Sequence, residues 1–375
     1  NQRGRFGKLF TDVMYSYYPL VNPPDIAFSR EQWEREWQCE EFIETMLLES
    51  DTDVCAVHTL PIYDAYEDGL TATDKGAQLK RDHPDRVLWY VGLDMFHPEA
   101  ALDEVREAVA AGADGIKFYP SRYNEGRTEA WSLADEEIAF PVLQLAHDLG
   151  VRNVAIHKVL PIGPVSHRGQ DVEDVSVAAN VFPDMNFQVV HAGFMFVDET
   201  TFLLANHPNV YATMEASALL ALLNPAHMQS LIGSFVGFAG PHKIIYASAA
   251  VNPHPQVVID AMENFAMPEG SPLPLGRMIP GFAEGAVQMK KGGKYTLFIP
   301  AGKGYGAEGQ KDQQGNQVIP PNSDLTFEVE LVDFMSEADF QRRIQVLQQA
   351  MQMQQGQGGE GQGGDGPPPA PEAPQ

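Results

Sequence analysis

The sequence has few cysteines, few basic residues and no long apolar run. Only Cys39 and Cys55 are present among 375 residues, too few for a disulfide framework, so we expect a reducing, cytoplasmic compartment. No run of about 18 apolar residues occurs, which predicts that no segment spans a membrane. Lysine and arginine total 25 against 51 acidic residues, for a net charge of −26. Because such a chain repels phosphate backbones, we expect no nucleic-acid partner.

The first two thirds of the chain alternate short apolar runs with amphipathic helical segments. Runs that are apolar along their whole length predict strands of a parallel sheet buried on both faces, and so an α/β fold of the (β/α)8-barrel type. The runs lie at 53–59, 87–93, 115–119, 153–157, 187–191, 209–213 and 243–247. Because such a barrel has eight strands, we expect this one to lack its first strand and to be open between its two outermost runs.

The pattern changes near residue 268. Apolar and acidic residues alternate in DLTFEVELVDF, which predicts an antiparallel half-sheet with one face exposed to solvent. Together with one helix, it would form a small α+β unit. A run of Gly, Gln, Pro and acid at the end of the chain cannot bury a core and predicts a disordered tail. The expected boundaries are a barrel at 1–268, a junction at 269–276, the second unit at 277–334, a helix at 335–351 and the tail at 352–375.

Three strand ends of the predicted barrel carry residues with useful chemistry. In parallel barrels the active site lies at the carboxyl ends of the strands, where Lys117, His157 and His191 are found. A neutral imidazole there can bind a divalent metal, and a second one can move protons, although a strand-end histidine is often only a hydrogen-bonded structural residue. We expect the side chains of His157 and His191 to meet in the barrel mouth, which His58 could also face.

The segments KFYP, IHK, VVHAG and NVY, with HPQ near residue 256, make residues 1–268 resemble the amidohydrolase-related family that includes aminocarboxymuconate-semialdehyde decarboxylase-like enzymes. The resemblance implies a metal-dependent hydrolase or decarboxylase that acts on a small carboxylate or amide. It implies that His157 binds the divalent metal, commonly zinc. It also implies that His191 is catalytic and that Lys117 binds substrate.

The sequence departs from that family at two points. The His-x-His pair of the family's first strand is absent, and Ala249 stands where an aspartate is usual. Because a zinc site needs at least three protein ligands, these departures predict that the chain binds zinc only weakly. Asn252 and His254 could replace the missing ligands, or His254 could simply be a surface loop residue.

Residues 277–334 contain MIPGFAEG, MKKGGKY, GYG, VIPPN and LTFEVEL in order, and resemble the C-terminal half of an FKBP-type peptidyl-prolyl cis-trans isomerase. Such an enzyme breaks no covalent bond, so it needs an apolar pocket for proline and no cofactor. The resemblance implies that the partners are proline-containing peptides. It implies catalytic roles for Phe282 and Tyr305. It implies substrate contacts for Met278, Ile279, Ile319 and Phe327.

We expect residues 277–334 to keep the local FKBP-like fold, with a helix at 282–289 packed on 294–300 and 324–334. Phe282, Phe298 and Phe327 should share one cluster there. Two alternatives stay open at this point. The apolar residues of the second unit could form only a small core. The whole chain could also be a catalytically silent module that binds proline peptides or acts like a chaperone. The main interpretation is a hydrolase or decarboxylase barrel fused to a partial isomerase.

Overall fold

A computed structural model describes residues 4–163, 165–250, 252–265, 278–290, 292–311 and 317–331. The chain divides into two compact units, Asn1–Met267 and Pro268–Gln375. The predicted junction at 269–276, helix at 335–351 and tail at 352–375 lie outside the described residues. Within the described ranges, no helix is both long enough and apolar enough to cross a membrane.

The first unit is built on one parallel sheet of seven strands. Its strands are β1 (Cys55–His58), β2 (Val87–Leu93), β3 (Gly115–Phe118), β6 (Asn153–His157), β7 (Asn186–Val190), β8 (Val210–Thr213) and β9 (Ile244–Ile245). They are hydrogen-bonded in that order, and each pair is parallel. The connection between β3 and β6 contains a separate hairpin, β4 (Ser121–Asn124) and β5 (Arg127–Ala130).

The predicted open barrel is confirmed. The sheet curls as a half-barrel whose edge strands are β1 and β9, and no described segment pairs between them. Helices connect the strands, as a right-handed parallel crossover requires. The helices are α1 (Gly4–Val21), α2 (Arg30–Glu34), α3 (Cys39–Ile43), α4 (Thr73–Asp82), α5 (Pro98–Ala110), α6 (Ala139–Asp148), α7 (Glu173–Val181), α8 (Val197–Asn206), α9 (Leu220–Leu223), α10 (Pro225–Phe238) and α11 (Pro255–Glu263).

Successive side chains of each strand point to opposite faces of the sheet, and the two faces differ in chemistry. The outer face packs against the helices and forms the main apolar core. That core includes Val91, Leu93, Ile116, Phe118, Val154, Ile156, Phe187 and Val189. The inner face carries a small cluster of Tyr90, Ala155 and Val190, with polar side chains around it. The outer face of the sheet therefore forms the apolar core, and the inner face carries the polar side chains that could take part in chemistry.

The second unit contains an antiparallel pair of strands and one helix. β10 (Gly293–Ile299) pairs with β13 (Leu325–Leu331), and α12 (Pro280–Ala286) packs against β10. A short separate ribbon is formed by β11 (Gln310–Lys311) and β12 (Gln317–Ile319). The predicted helix at 282–289 thus begins two residues earlier and ends three residues earlier in the structure.

Two glycines let α12 approach β10 closely. A Cβ atom at Gly281 would overlap Ile299 and lie 3.1 Å from Lys303 Cβ, and one at Gly285 would lie 2.8 Å from Leu297 Cδ2. Both positions lie on one helix face, since they are four residues apart. The glycines of MIPGFAEG therefore serve helix–strand packing in this unit.

The predicted three-phenylalanine cluster is partly wrong. Phe282 and Phe327 pack together with ring centroids 5.4 Å apart, but Phe298 is 78% exposed. Phe298 pairs with Thr326, whereas its neighbours Leu297 and Ile299 face α12. Because side chains alternate along a strand, a residue between two inward-facing residues must point outward.

Candidate functional site

The half-barrel interior brings together polar side chains from four neighbouring strands. Lys117 lies on β3, His157 ends β6, and His191 directly follows β7. Glu215 lies two residues beyond β8, in phase with Thr213. Lys117, His157 and Glu215 point to the inner face because they alternate with residues of the outer core. His191 follows the inner-face residue Val190 at a positive φ, and its ring contacts that of His157.

The two predicted histidines meet, as their strand positions predict. Their ring centroids are 4.7 Å apart, with the planes at 75° to each other. The Tyr119 ring also stacks on His157, with the centroids 4.5 Å apart. The proximity prediction is confirmed, while the catalytic role of His191 and the metal-binding role of His157 stay predictions.

The tautomer of His157 is set by its backbone contact. Its Nε2 lies 2.6 Å from the Leu160 carbonyl oxygen, so Nε2 carries the hydrogen and donates a hydrogen bond to that oxygen. Nδ1 is then an acceptor, and it is buried without a hydrogen-bond partner among the described residues. Burial lowers the pKa of His157 to about 3, with a smaller effect from nearby Lys117. His157 is therefore a neutral imidazole with one unused lone pair at neutral pH.

His191 is held in a strained backbone conformation. Its φ of 64° lies in the left-handed region, which is rare for a residue with a side chain. Its backbone N–H donates to Glu215 Oε2 at 3.2 Å, and its Nδ1 accepts from the Ala216 N–H at 3.4 Å. Burial lowers the pKa of His191, helped by His157, Lys117 and His58. The segment after β8 thus holds His191 both at its backbone N–H and at its imidazole.

Lys117 and Glu215 form the charged part of the interior. Lys117 is 1% exposed, and burial lowers the pKa of its ammonium to about 8, against the opposing attraction of Glu215. Burial likewise raises the pKa of Glu215, against the attraction of Lys117. Lys117 Nζ lies 5.1 Å from the centroid of the Tyr119 ring. Displaced pKa values of this kind concentrate at functional sites.

Glu215 is the interior residue that the sequence analysis missed. The predicted run 209–213 ends at Thr213, two residues before Glu215. The signal was present, because Tyr211, Thr213 and Glu215 continue the alternation of one strand face. His58, on β1, also reaches the interior, where its ring lies 4.8 Å from that of Tyr90.

We tested whether the interior could hold a metal ion. The free Nδ1 of His157 is a suitable ligand atom. Within the described ranges, however, no three histidine, cysteine, aspartate or glutamate side chains converge on one point. His254 instead caps α11, where its Nδ1 accepts from the Gln256 N–H, and its Nε2 lies 3.4 Å from Glu49. The described residues therefore do not complete a metal site with three protein ligands.

A cavity of about 460 Å³ lies at the mouth of the half-barrel. Tyr119 and His157 line it and connect it to the interior polar residues. Most of its wall is aromatic or aliphatic, and its polar lining includes Asp64, Asp94 and Arg122. A volume and wall of this kind suit a small ring-containing molecule. The aromatic lining residues are Phe6, Phe10, Tyr63, Phe96, Tyr119 and Tyr123.

The loop that follows His157 is fastened by buried polar contacts. The fully buried Lys158 donates from Nζ to Asp174 Oδ2 and to the Gly169 carbonyl oxygen, each at 2.9 Å. Val159 has a φ of 60°, and its N–H donates to the Gln170 carbonyl oxygen. A left-handed β-branched residue costs on the order of 1–3 kcal/mol and persists only where its surroundings hold it. The lysine of the IHK motif therefore supports the loop rather than facing the cavity.

In the second unit the predicted proline-binding residues are only partly together. Phe282 is buried, and Met278, Ile279 and Phe327 pack against the same cluster. Tyr305 is half-buried in the loop between β10 and β11. Ile319 lies on the separate β11–β12 ribbon, and the described contacts do not place it in the cluster, because β12 pairs with β11 and not with β13.

Comparison with protein families gave two matches. Residues 57–275 match the family described as amidohydrolase, which is more than half of the chain. Residues 258–332 match the family described as FKBP-type peptidyl-prolyl cis-trans isomerase. The two ranges overlap at residues 258–275. Both resemblances read from the sequence motifs are confirmed.

Individual proteins show the same division. An FK506-binding protein of Neisseria meningitidis is 48% identical over 60 residues, which cover 16% of this chain and 50% of that protein. The chain spans about half the length of the curated FK506-binding proteins it matches first.

Among solved structures, an uncharacterised TIM-barrel protein from Bordetella bronchiseptica aligns with a TM-score of 0.49 and 13% identity, over 68% of this chain and 86% of that chain. A 5-carboxyvanillate decarboxylase from Novosphingobium aromaticivorans with bound manganese aligns with a TM-score of 0.37 and 16% identity, over 52% and 64%.

Proposed function

Because the chain belongs to the amidohydrolase family through residues 57–275, we propose that its first unit decarboxylates a small carboxylate bound in the cavity. The observation that supports this most strongly is the grouping of Lys117, His157, His191 and Glu215 in the half-barrel interior, where His157 also lines the cavity. Hydrolysis of an amide is the other reaction class that the family includes. The family resemblance alone supports a divalent metal, zinc in particular, with His157 as its ligand.

The interior residues suit the proton requirement of decarboxylation. When the bond between the substrate carbon and its carboxylate breaks, CO₂ leaves and the electron pair stays on carbon, which must take a proton. Lys117, with a pKa of about 8, is protonated at pH 7 and is a stronger acid than an ordinary lysine. We expect it to supply that proton, and Glu215 to stabilise the ammonium before transfer. His157 stays neutral and accepts a hydrogen bond from the substrate at Nδ1, whereas neutral His191, whose Nδ1 already accepts from the Ala216 N–H, donates one from Nε2.

Replacing Lys117 with methionine should lower kcat for decarboxylation by about 10²–10⁴-fold, because general acid catalysis contributes that much. The measurement is CO₂ release from a panel of small aromatic and aliphatic carboxylates. The wild-type rate should fall as the pH rises through about 8, where Lys117 loses its proton. Lys8→Met, which changes a lysine that is exposed on α1, is the matched control and should retain the wild-type rate.

Wild-type turnover by Lys117→Met would contradict the role of Lys117. Absence of CO₂ release from every carboxylate tested, together with cleavage of the matching amides, would favour hydrolysis instead. We also propose a cytoplasmic location, which the free thiols of Cys39 and Cys55 support.

For the second unit we propose weak binding and slow isomerisation of proline-containing peptides. Support comes from the match to the isomerase family and from the edge-to-face contact of Phe282 with Phe327. The pocket lacks the contacts that the other half of the curated relatives would supply, and lost apolar contact area costs roughly 25 cal/mol per Å². This interpretation as an isomerase part is favoured over a catalytically silent module by the family match.

A prolyl-isomerisation assay on a tetrapeptide should show slight acceleration by the wild-type chain. Phe282→Ala should abolish it, because Phe282 is at the centre of the cluster. Since that change could also unfold the unit, Tyr305→Phe tests the loop hydroxyl without removing a buried ring. Phe298→Ala, on the outer face of β10, is the control and should keep the activity. Acceleration equal to that of the full-length Neisseria relative would mean that the missing half is dispensable.

A further inference from the structure

Arg122 is held in one orientation at the cavity wall. It lies on β4, opposite Glu129 on β5, and its Nε donates to Glu129 Oε2 at 2.8 Å. Glu129 Oε1 accepts in turn from Asn124 Nδ2 at 2.8 Å. The guanidinium carbon lies 4.1 Å from the centroid of the Phe96 ring, which supports it from one side. The side chain is therefore fixed by a carboxylate at one edge and by an aromatic face.

The other edge of the guanidinium is available. Only Nε of Arg122 pairs with Glu129, and among the described residues no acceptor is bonded to Nη1 or Nη2. Asp64, the nearby acid of the cavity wall, instead accepts from the Tyr123 N–H at 2.7 Å. Arg122 is also the single lysine or arginine among the residues that line the cavity. Two parallel N–H groups thus remain to be paired in a largely apolar space.

The hairpin that carries Arg122 is anchored on both strands. The Tyr123 ring stacks on Phe6 at 4.6 Å, and Ser121 Oγ accepts from Gln170 Nε2 at 2.8 Å. On β5, Thr128 Oγ1 accepts from the Ser166 N–H at 2.8 Å. Because the hairpin is already ordered, little conformational entropy is lost when a ligand binds to it.

We propose that Arg122 binds the carboxylate of the substrate through both Nη groups, and that the substrate is a small aromatic carboxylate rather than an amide. This inference rests on the proposed function of the same cavity. The planar guanidinium matches the two oxygens of a carboxylate, which an amide cannot offer. The ring of such a substrate fits against Phe96 and Tyr119. Glu129 is a positioning residue, since it acts through Arg122.

The test is calorimetric binding of benzoate and of benzamide, its neutral counterpart of the same shape. Wild-type protein should bind benzoate at least about tenfold more tightly than benzamide, which corresponds to one charge-assisted hydrogen bond. Arg122→Gln should remove this preference and leave benzamide binding unchanged. Arg122→Lys should restore only part of it, because an ammonium cannot pair bidentately. Glu129→Gln should weaken benzoate binding and raise KM for a carboxylate substrate without changing kcat.

Arg127→Gln is the matched control, since Arg127 lies on the same hairpin, is exposed and does not line the cavity. Equal benzoate affinity in wild-type protein and Arg122→Gln overturns the inference, as does the absence of benzoate binding at about 10 mM. Failure of the proposed function gives a different result. In that case Arg122-dependent benzoate binding persists, but no carboxylate is turned over and Lys117→Met has no effect.

Discussion

Replacing Lys158 with methionine should lower the free energy of unfolding of the first unit by about 3–5 kcal/mol. Lys158 is fully buried, and its Nζ lies 2.9 Å from Asp174 Oδ2. Asp174 is also buried, and the same oxygen accepts from the Leu133 N–H at 2.8 Å. Removing the ammonium leaves a carboxylate in the interior without its counter-charge. That uncompensated charge, rather than the lost attraction, is the main cost.

Urea unfolding followed by tryptophan fluorescence measures this effect, because all four tryptophans lie in the first unit. Lys8→Met is the control, since it removes the exposed Lys8–Asp12 pair and should cost less than about 1 kcal/mol. The double variant Lys158→Met/Asp174→Asn should recover part of the loss, because the buried charge is gone while an amide oxygen remains for Leu133. A single variant within 1 kcal/mol of wild type would show that Lys158 is not needed to neutralise Asp174.

The sheet could be predicted from the sequence because it is buried on both faces. Its strands are runs of apolar, often β-branched residues, and such runs have few alternative conformations in a globular protein. The positions of His157 and His191 followed from the same pattern, since each ends or follows such a run. The side chains that meet at the carboxyl edge of a parallel sheet can be inferred once the strands are known.

Arg122 and Lys158 could not be assigned from the same pattern. Arg122 lies on SRYN, a four-residue polar strand whose partner is RTEA, and neither has an apolar periodicity that would mark a strand. Lys158 follows the predicted ligand directly, and its sequence position does not reveal that it points away from the cavity towards α7. Its role depends on Asp174, 16 residues away, and such a pairing is a tertiary contact.

The second unit shows the limits of a family resemblance. The motifs identified α12, β10 and β13 correctly, and the alternation in 325–331 placed Leu325, Phe327 and Val329 on the buried face. The same alternation, applied to β10, puts Phe298 on the outer face, and neglecting it caused the wrong cluster prediction. Ile319 was carried over from the family without a test of which strand its segment would pair with.

Acidification from pH 7 to about 4.5 should destabilise the first unit, and His157 alone should account for about 3 kcal/mol of the loss. The unfolded imidazole has a pKa near 6.5, and burial lowers the pKa of folded His157 to about 3. A lowered pKa means that the unfolded state takes up the proton first. The stability is therefore complete above pH 6.5 and is lost as the pH falls towards 3, at 1.36 kcal/mol per pH unit for each group. His58 and His191 act in the same direction, because burial lowers both pKa values.

Other titrating groups also face these rings. A variant is therefore needed to isolate the contribution of His157 to the pH dependence of stability. The raised pKa of Glu215 opposes the loss, because the folded carboxyl takes up a proton before the unfolded one does. Lys117 keeps its proton over the whole range, since its pKa is about 8. His157→Phe removes one titrating ring, so its cost relative to wild type should be smaller at pH 4.5 than at pH 7 by about 3 kcal/mol. His167→Asn, which removes a histidine at an exposed loop position, is the control variant. Equal costs of His157→Phe at the two pH values would mean that the buried ring takes up its proton as readily as the unfolded one.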